Sequence, residues 1–149
     1  MKTFKVASLL VLALVLMAAL AACSSPPAPV ALSTLPVYAG ATATTDANYL
    51  KMQDAVTAAF QAGASGQKFG NVETKVYTLP QATKWDDVKK FYDTELAKTG
   101  WAGDPKMTFS QGSVQGVGYL RGQQLFLSYL LADPNIPDAV LITGVGTIQ

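Results

Sequence analysis

The side chains able to do acid–base or nucleophilic chemistry are few in this chain of 149 residues. Histidine is absent and Cys23 is the only cysteine. A His-activated nucleophile, a zinc site of Cys and His, and an intrachain disulfide are therefore excluded. Four carboxylates lie close together in the sequence: Asp86, Asp87, Asp93 and Glu95. Their spacing is typical of a solvated helix surface rather than of an acid–base pair, so we predict no catalytic residue and no enzyme.

The segment from Asp133 to Asp138 carries three oxygen-bearing side chains, those of Asp133, Asn135 and Asp138. Calcium prefers such ligands. An EF-hand loop would add a central glycine and a terminal glutamate, and this segment has neither. Its prolines and aspartates are more typical of a turn between strands. We predict no metal and no cofactor, and keep this segment as the calcium alternative.

Arg121 and several aromatic residues are the remaining candidates for binding. Arg121 can pair with an anion, although its place before Gly122 predicts a solvated residue at a hairpin turn. Tyr77, Phe126 and Tyr129 can line a surface, because aromatic side chains are enriched in pockets and interfaces. Core packing is the default interpretation of these aromatics. Together with Arg121 they form our candidate ligand or partner face.

The charge balance excludes a nucleic-acid partner. The chain has 11 Lys and Arg against 10 Asp and Glu, and apart from Arg121 the basic residues are scattered lysines. Binding to nucleic acid needs clustered cations that neutralise phosphates. No other strongly charged partner is indicated.

The N-terminus has the layout of a secretory signal. Lys2 and Lys5 give a positive start, and an apolar run over 6–20 follows. The tetrapeptide Leu20-Ala21-Ala22-Cys23 resembles the lipobox of bacterial lipoproteins. The resemblance implies cleavage after a signal peptide over 1–22 and a diacylglyceryl thioether, with palmitate-type acyl chains, on Cys23. An uncleaved helix ending at a chance cysteine is the alternative.

The resemblance also implies a location in the cell envelope, outside the cytoplasm. Two or more acyl chains hold a protein stably on a membrane. Ser24, where an Asp would favour retention at the inner membrane, implies the outer membrane if one exists, and otherwise the outer face of the cytoplasmic membrane. Residues 23–36 are rich in Pro, Ser and Ala, which predicts an extended tether. A single domain over 37–149 follows.

The pattern of that domain predicts two helices and about five strands. Asp46 caps a helix that ends near Ala62, and a second helix covers Lys84 to Thr99 before Gly100 and Trp101. Strands are predicted at Val72 to Leu79 and, after the second helix, over 106–110, 114–121, 124–132 and 139–147. The order αβαββββ predicts an α+β fold with a mainly antiparallel sheet.

The run from Gln124 to Ala132 is apolar on both faces, which predicts a central strand. The helices then lie either one on each side of the sheet, or both on one side with the other face left for a partner or ligand. The stretch Val88-Lys89-Lys90-Phe91-Tyr92, with Gly100-Trp101 and a following meander, resembles small bacterial lipoproteins to which no activity is attached.

Three functions follow from these observations, in descending order of support. The first is a non-catalytic module that is anchored to the membrane and contacts another envelope protein. The second is a carrier of a small apolar ligand, which needs a cavity between sheet and helices. The third is a hydrolytic enzyme that relies on carboxylates alone.

Overall fold

The structure, a computed structural model, describes residues 26–63 and 67–149. The predicted signal peptide, the lipobox and Cys23 lie outside the described residues. In chain order the elements are a 3₁₀ turn (Leu32–Thr34), β1 (Thr42–Ala43), α1 (Ala47–Ala62), β2 (Phe69–Leu79), α2 (Trp85–Ala97), β3 (Ala102–Gln111), β4 (Val114–Arg121), β5 (Gln124–Leu131) and β6 (Ala139–Ile148). The strands form one sheet in the order β1-β2-β6-β5-β4-β3.

The predicted α+β class and the antiparallel sheet are confirmed, since every neighbouring pair of strands runs antiparallel. The strand number and the order αβαββββ need correction. The described chain has six strands because β1 precedes α1 and pairs with the end of β2, Thr42 opposite Thr78. A strand of two residues is too short to show the alternation that identifies strands in sequence.

The first helix agrees closely with its sequence signals. The Asp46 carboxylate accepts a hydrogen bond from the Asn48 amide at 2.8 Å and so caps α1. At the other end the Gly63 amide donates to the Phe60 carbonyl. Phe60 is buried on the inner face of α1, where it contacts the Phe69 ring with centroids 4.8 Å apart.

The second helix buries Val88, Tyr92 and Leu96, which recur on one face and are fully inaccessible to solvent, while Trp85 at its start is partly buried. It is shorter than the predicted span at both ends. The Trp101 amide donates to the Leu96 carbonyl at 3.2 Å, which turns Trp101 back under the last turn. Trp101 is consequently buried in the core beside Phe126.

The two helices lie on opposite faces of the sheet, which decides between the two arrangements left open by the sequence. On one face, α2 packs against a core that includes Tyr77, Tyr119 and Phe126. On the other face, α1 packs mainly over β2 and β6. β5 is flanked by β6 and β4 and is a central strand, as predicted.

Candidate functional site

The structure does not bring together the four residues of the predicted ligand or partner face. Tyr77 and Phe126 lie in the core on the α2 side, where Phe126 is completely buried. Tyr129 lies on the opposite face and is half-buried. Arg121 is at the end of β4 and holds two backbone carbonyls. These four residues therefore do not share one surface of the sheet, because successive side chains of a strand point to opposite faces.

Two tyrosine hydroxyls, those of Tyr119 and Tyr92, lie in the apolar core on the α2 side of the sheet. The Tyr119 hydroxyl donates to Asp93 Oδ1 of α2 at 2.9 Å. Burial, reinforced by the bond to Asp93, raises the pKa of Tyr119 well above its usual value of 10. Burial likewise raises the pKa of Tyr92. Both hydroxyls stay protonated at neutral pH, so neither acts as a base or nucleophile.

These raised pKa values predict a loss of stability in alkali. Unfolded tyrosine ionises above about pH 10, whereas the buried hydroxyl resists ionisation, so unfolding releases protons and becomes easier as pH rises. Each buried tyrosine then lowers the free energy of unfolding by about 1.4 kcal/mol per pH unit above this point. Urea denaturation from neutral to strongly alkaline pH measures the slope.

Tyr119→Phe is the informative variant for this alkaline loss. It is less stable than the parent at neutral pH, because the bond to Asp93 is lost, yet its stability falls less steeply above about pH 10. Both chains carry the same lysines, so the difference between the slopes reports Tyr119 alone. Equal slopes in the two chains would refute the raised pKa.

An apolar surface remains on the α1 side of the sheet, beside the helix. It consists of side chains from β3 and β5, and we name it the open half-face: Met107, Phe109, Leu127, Tyr129 and Leu131. Phe109 is 38% exposed, and its ring lies 5.2 Å from that of Tyr129, centroid to centroid. Exposed aromatic side chains next to buried aliphatic ones are typical of protein interfaces.

Two glycines of β4 make room for the open half-face. A side chain at Gly116 would overlap the rings of Phe109 and Tyr129, and one at Gly118 would overlap Met107. The strand pairing also shifts between Asp104 and Phe109, so that β3 bulges and lays its side chains across β4. Phe109 and Met107 are the side chains that use the space left by the two glycines.

The described part of the predicted tether lies against the domain instead of standing off it. Residues 27–35, which we name the strap, cross the end of the sheet on the α2 side. Arg121 donates to the Ala28 carbonyl at 2.9 Å and to the Thr99 carbonyl at 3.0 Å. Gln124, which is only 5% exposed, bonds both the amide and the carbonyl of Val30, at 2.8 and 3.0 Å.

The strap continues across to β2 and into the core. The Leu32 amide donates to the Glu73 carboxylate at 2.9 Å, and Leu35 is buried among the core residues. The sequence predicts that Arg121 is a solvated turn residue, and this is wrong because its guanidinium is held by the Ala28 and Thr99 carbonyls. The Gln124 side chain accepts a bond from the Val30 amide and donates one to the Val30 carbonyl, so it holds the extended strap as a neighbouring strand would.

Two open clefts flank the strap. One, of about 390 Å³, lies between the strap and the end of α2, where Leu35, Lys98, Trp101 and Arg121 are among its lining residues. The other, of about 410 Å³, lies beside Pro29, Glu73 and Gln124. Both combine apolar and charged walls. The space between the sheet and α2, by contrast, is filled by buried side chains.

The predicted calcium alternative has a local role in the structure. The Asp133 carboxylate accepts bonds from the backbone and side-chain amides of Asn135, both at 2.8 Å, which shapes the turn that leads to β6. Across residues 26–63 and 67–149, no three Asp, Glu, His or Cys side chains are grouped as metal ligands.

None of the described helices is long and apolar enough to cross a bilayer.

Sequence reasoning missed the role of Phe109 and the polar contacts of Gln124. Phe109 lies in a short segment with Pro105 and several polar residues, where a single aromatic side chain gives no periodic signal. Gln124 begins an apolar strand, and the polar residue at that place was the available hint of a buried partner.

No protein-family model, no curated protein and no solved structure matches this chain.

Proposed function

We propose that this protein is a non-catalytic lipoprotein of the bacterial envelope that binds another envelope protein through the open half-face. The observation that carries the proposal is the exposure of Phe109 beside Tyr129 and Leu131, on the part of the sheet that α1 does not cover. Exposure of a large apolar side chain to water is unfavourable, so its burial against a partner's surface contributes favourable free energy to binding.

The small number of side chains suited to acid–base or nucleophilic chemistry favours binding over catalysis. The chain has no histidine, and the carboxylates of α2 have structural partners: Asp93 with Tyr119 and Lys89, and Glu95 with Lys98. An apolar-ligand carrier has less support, because the clefts beside the strap mix charged and apolar walls while the core itself is filled. On the open half-face the exposed Phe109 side chain packs against the Tyr129 ring, an arrangement of apolar groups that suits a protein surface.

The test is a photo-crosslink in intact cells. Benzoylphenylalanine replaces Phe109, and, as a control, Val37, which is 48% exposed on the strap side of the molecule. We expect one discrete crosslinked species from position 109, identified by mass spectrometry, and none of the same mass from position 37. A crosslink that is the same from both positions, or no crosslink from position 109, contradicts the proposal.

A second variant shows whether the contact depends on the apolar surface. The crosslinker is placed at Leu131 and Phe109 is changed to serine in the same chain. If a partner rests on the open half-face, the Leu131 crosslink disappears in the Phe109→Ser chain. The variant Leu50→Ser is the matched control, since Leu50 is also 38% exposed but lies on α1.

A further inference from the structure

We infer that the strap fixes the orientation of the domain on the membrane, with the turn between β4 and β5 facing the lipid headgroups and the open half-face directed away from them. This inference rests on the proposed lipid anchor at Cys23. It goes further by assigning one end of the sheet as the surface that lies against the bilayer.

The first argument is the length of the chain between the anchor and the strap. Pro27 contacts the turn at Gly122, where an added Cβ would lie 3.0 Å from the proline ring. Arg121 holds the next residue, Ala28, through its carbonyl. The four peptide units from Cys23 to Pro27 span at most about 14 Å when fully extended. The Gly122 turn is therefore held close to the anchor, separated from the Cys23 backbone by no more than this length of chain and one side-chain contact.

The second argument is the position of the open half-face along the strands. Phe109 pairs with Gly116, and Gly116 also pairs with Tyr129. The six residue steps from Gly122 back to Gly116 span about 20 Å in an antiparallel sheet. The exposed ring of Phe109 therefore lies about 20 Å along the strands from the turn that is held at the anchor, and it points away from the lipid when that turn faces the headgroups.

The third argument is the distribution of charge between the two ends of the sheet. The end opposite the strap holds the α1 cap, the start of α2 and the connection from β5 to β6, with five carboxylates: Asp46, Asp86, Asp87, Asp133 and Asp138. That end also holds Lys84. The strapped end holds Lys68, Lys98 and Arg121 together with the carboxylates Glu73 and Glu95, so positive and negative charges are close to balance there. An anionic bilayer therefore repels the first end more strongly than the second.

The test uses the lipidated full-length protein in vesicles of phosphatidylcholine and phosphatidylglycerol that contain a lipid with a nitroxide headgroup. A bimane label is attached to Gln123→Cys or to Gln111→Cys, two exposed glutamines at opposite ends of β4. We expect several-fold stronger quenching at position 123. Equal quenching at both positions, or stronger quenching at position 111, overturns the orientation.

The mass of the mature chain separates this failure from failure of the anchor. If the mass lacks a diacylglyceryl group and neither label is quenched, the proposed lipoprotein itself is wrong. If the mass shows the lipid and the two labels are quenched equally, only the orientation is wrong.

Removal of the hydrogen bonds that hold the strap should reduce the difference in quenching between the two labels. Arg121→Ala with Gln124→Ala removes the side chains that hold Ala28 and Val30, so the tether lengthens and the quenching difference between positions 123 and 111 shrinks severalfold. Lys106→Ala, which changes an exposed side chain on β3, is the control and keeps the full difference. Should the double variant fail to fold by circular dichroism, Arg121→Ala alone is used, since Arg121 is only partly buried. An unchanged difference in a folded variant contradicts the role of the strap.

Discussion

Changing Cys23 to serine, in a chain whose residues 1–22 are exchanged for a secretory signal that is cleaved without lipidation, should move the protein from the membrane fraction to the soluble fraction almost completely. The exchange is needed because the apolar run over 6–20 would otherwise stay attached and hold the serine variant in the membrane. The serine oxygen replaces the sulfur at nearly the same size, yet it cannot accept the thioether-linked lipid that the lipobox implies. Each buried methylene of an acyl chain contributes about 0.8 kcal/mol to membrane binding, so the loss of two chains removes far more than one protein surface supplies. The measurement is fractionation of cells after an alkaline wash, with incorporation of labelled palmitate.

Ser25→Ala is the matched control for this experiment, because it lies two residues beyond Cys23 and outside the tetrapeptide. It should remain in the membrane fraction and incorporate palmitate as the parent does. If the Cys23→Ser protein stayed in the membrane fraction through the alkaline wash, the lipid anchor would not be the attachment, and the orientation inferred from the strap would lose its basis.

The elements with strong local signals were predictable from the sequence. The first helix has a capping aspartate, Asp46, an apolar stripe and a terminating glycine, and all three act locally. The turn between β4 and β5 is similarly local, because Gly122 has a φ of +58° that other residues rarely adopt. Short-range sterics and capping bonds decide these features, so a window of a few residues contains the information.

The strap and β1 were not predictable for the opposite reason. The bond from Gln124 to Val30 joins residues 94 positions apart, and no local pattern announces it. Prolines at 26, 27, 29 and 36 predict an extended backbone, which is observed, but they do not say whether that backbone is free or docked. Docking depends on partners such as Arg121 and Glu73, which become neighbours only after the sheet has formed.

The candidate site was predictable in part. Alternation along β5 places Tyr129 and Phe126 on opposite faces, as the structure does, although the predicted candidate face grouped the two residues together. It did not tell which face a helix would cover, because both helices are amphipathic and each fits either side. The close approach of Phe109 to Gly116 depends on the irregular pairing of β3. A shift in strand register leaves no periodic pattern in the sequence, so this contact could not be predicted.

Phe126→Ala should be the most destabilising single change in the core, with a loss of about 3–5 kcal/mol in the free energy of unfolding. The Phe126 ring is completely buried and lies among three other rings, those of Tyr92, Trp101 and Tyr119. Its removal leaves a cavity between the sheet and α2 that the rigid strand pairs on either side cannot close. A domain of this size has about 5–15 kcal/mol of total stability, so the variant is close to unfolding.

Phe109→Ala makes the same chemical change at the surface and is the matched control. Its ring is 38% exposed and packs on one side only, so we expect a loss of no more than about 1–2 kcal/mol. Urea denaturation followed by tryptophan fluorescence measures both variants, because Trp101, one of the two tryptophans, lies 6.2 Å from Phe126, centroid to centroid. If the two variants lost equal stability, Phe109 would belong to the core and the open half-face would not be a free binding surface. The expected inequality means that Phe109 can be changed without unfolding the domain, and a lost crosslink in the Phe109→Ser chain then reports binding rather than stability.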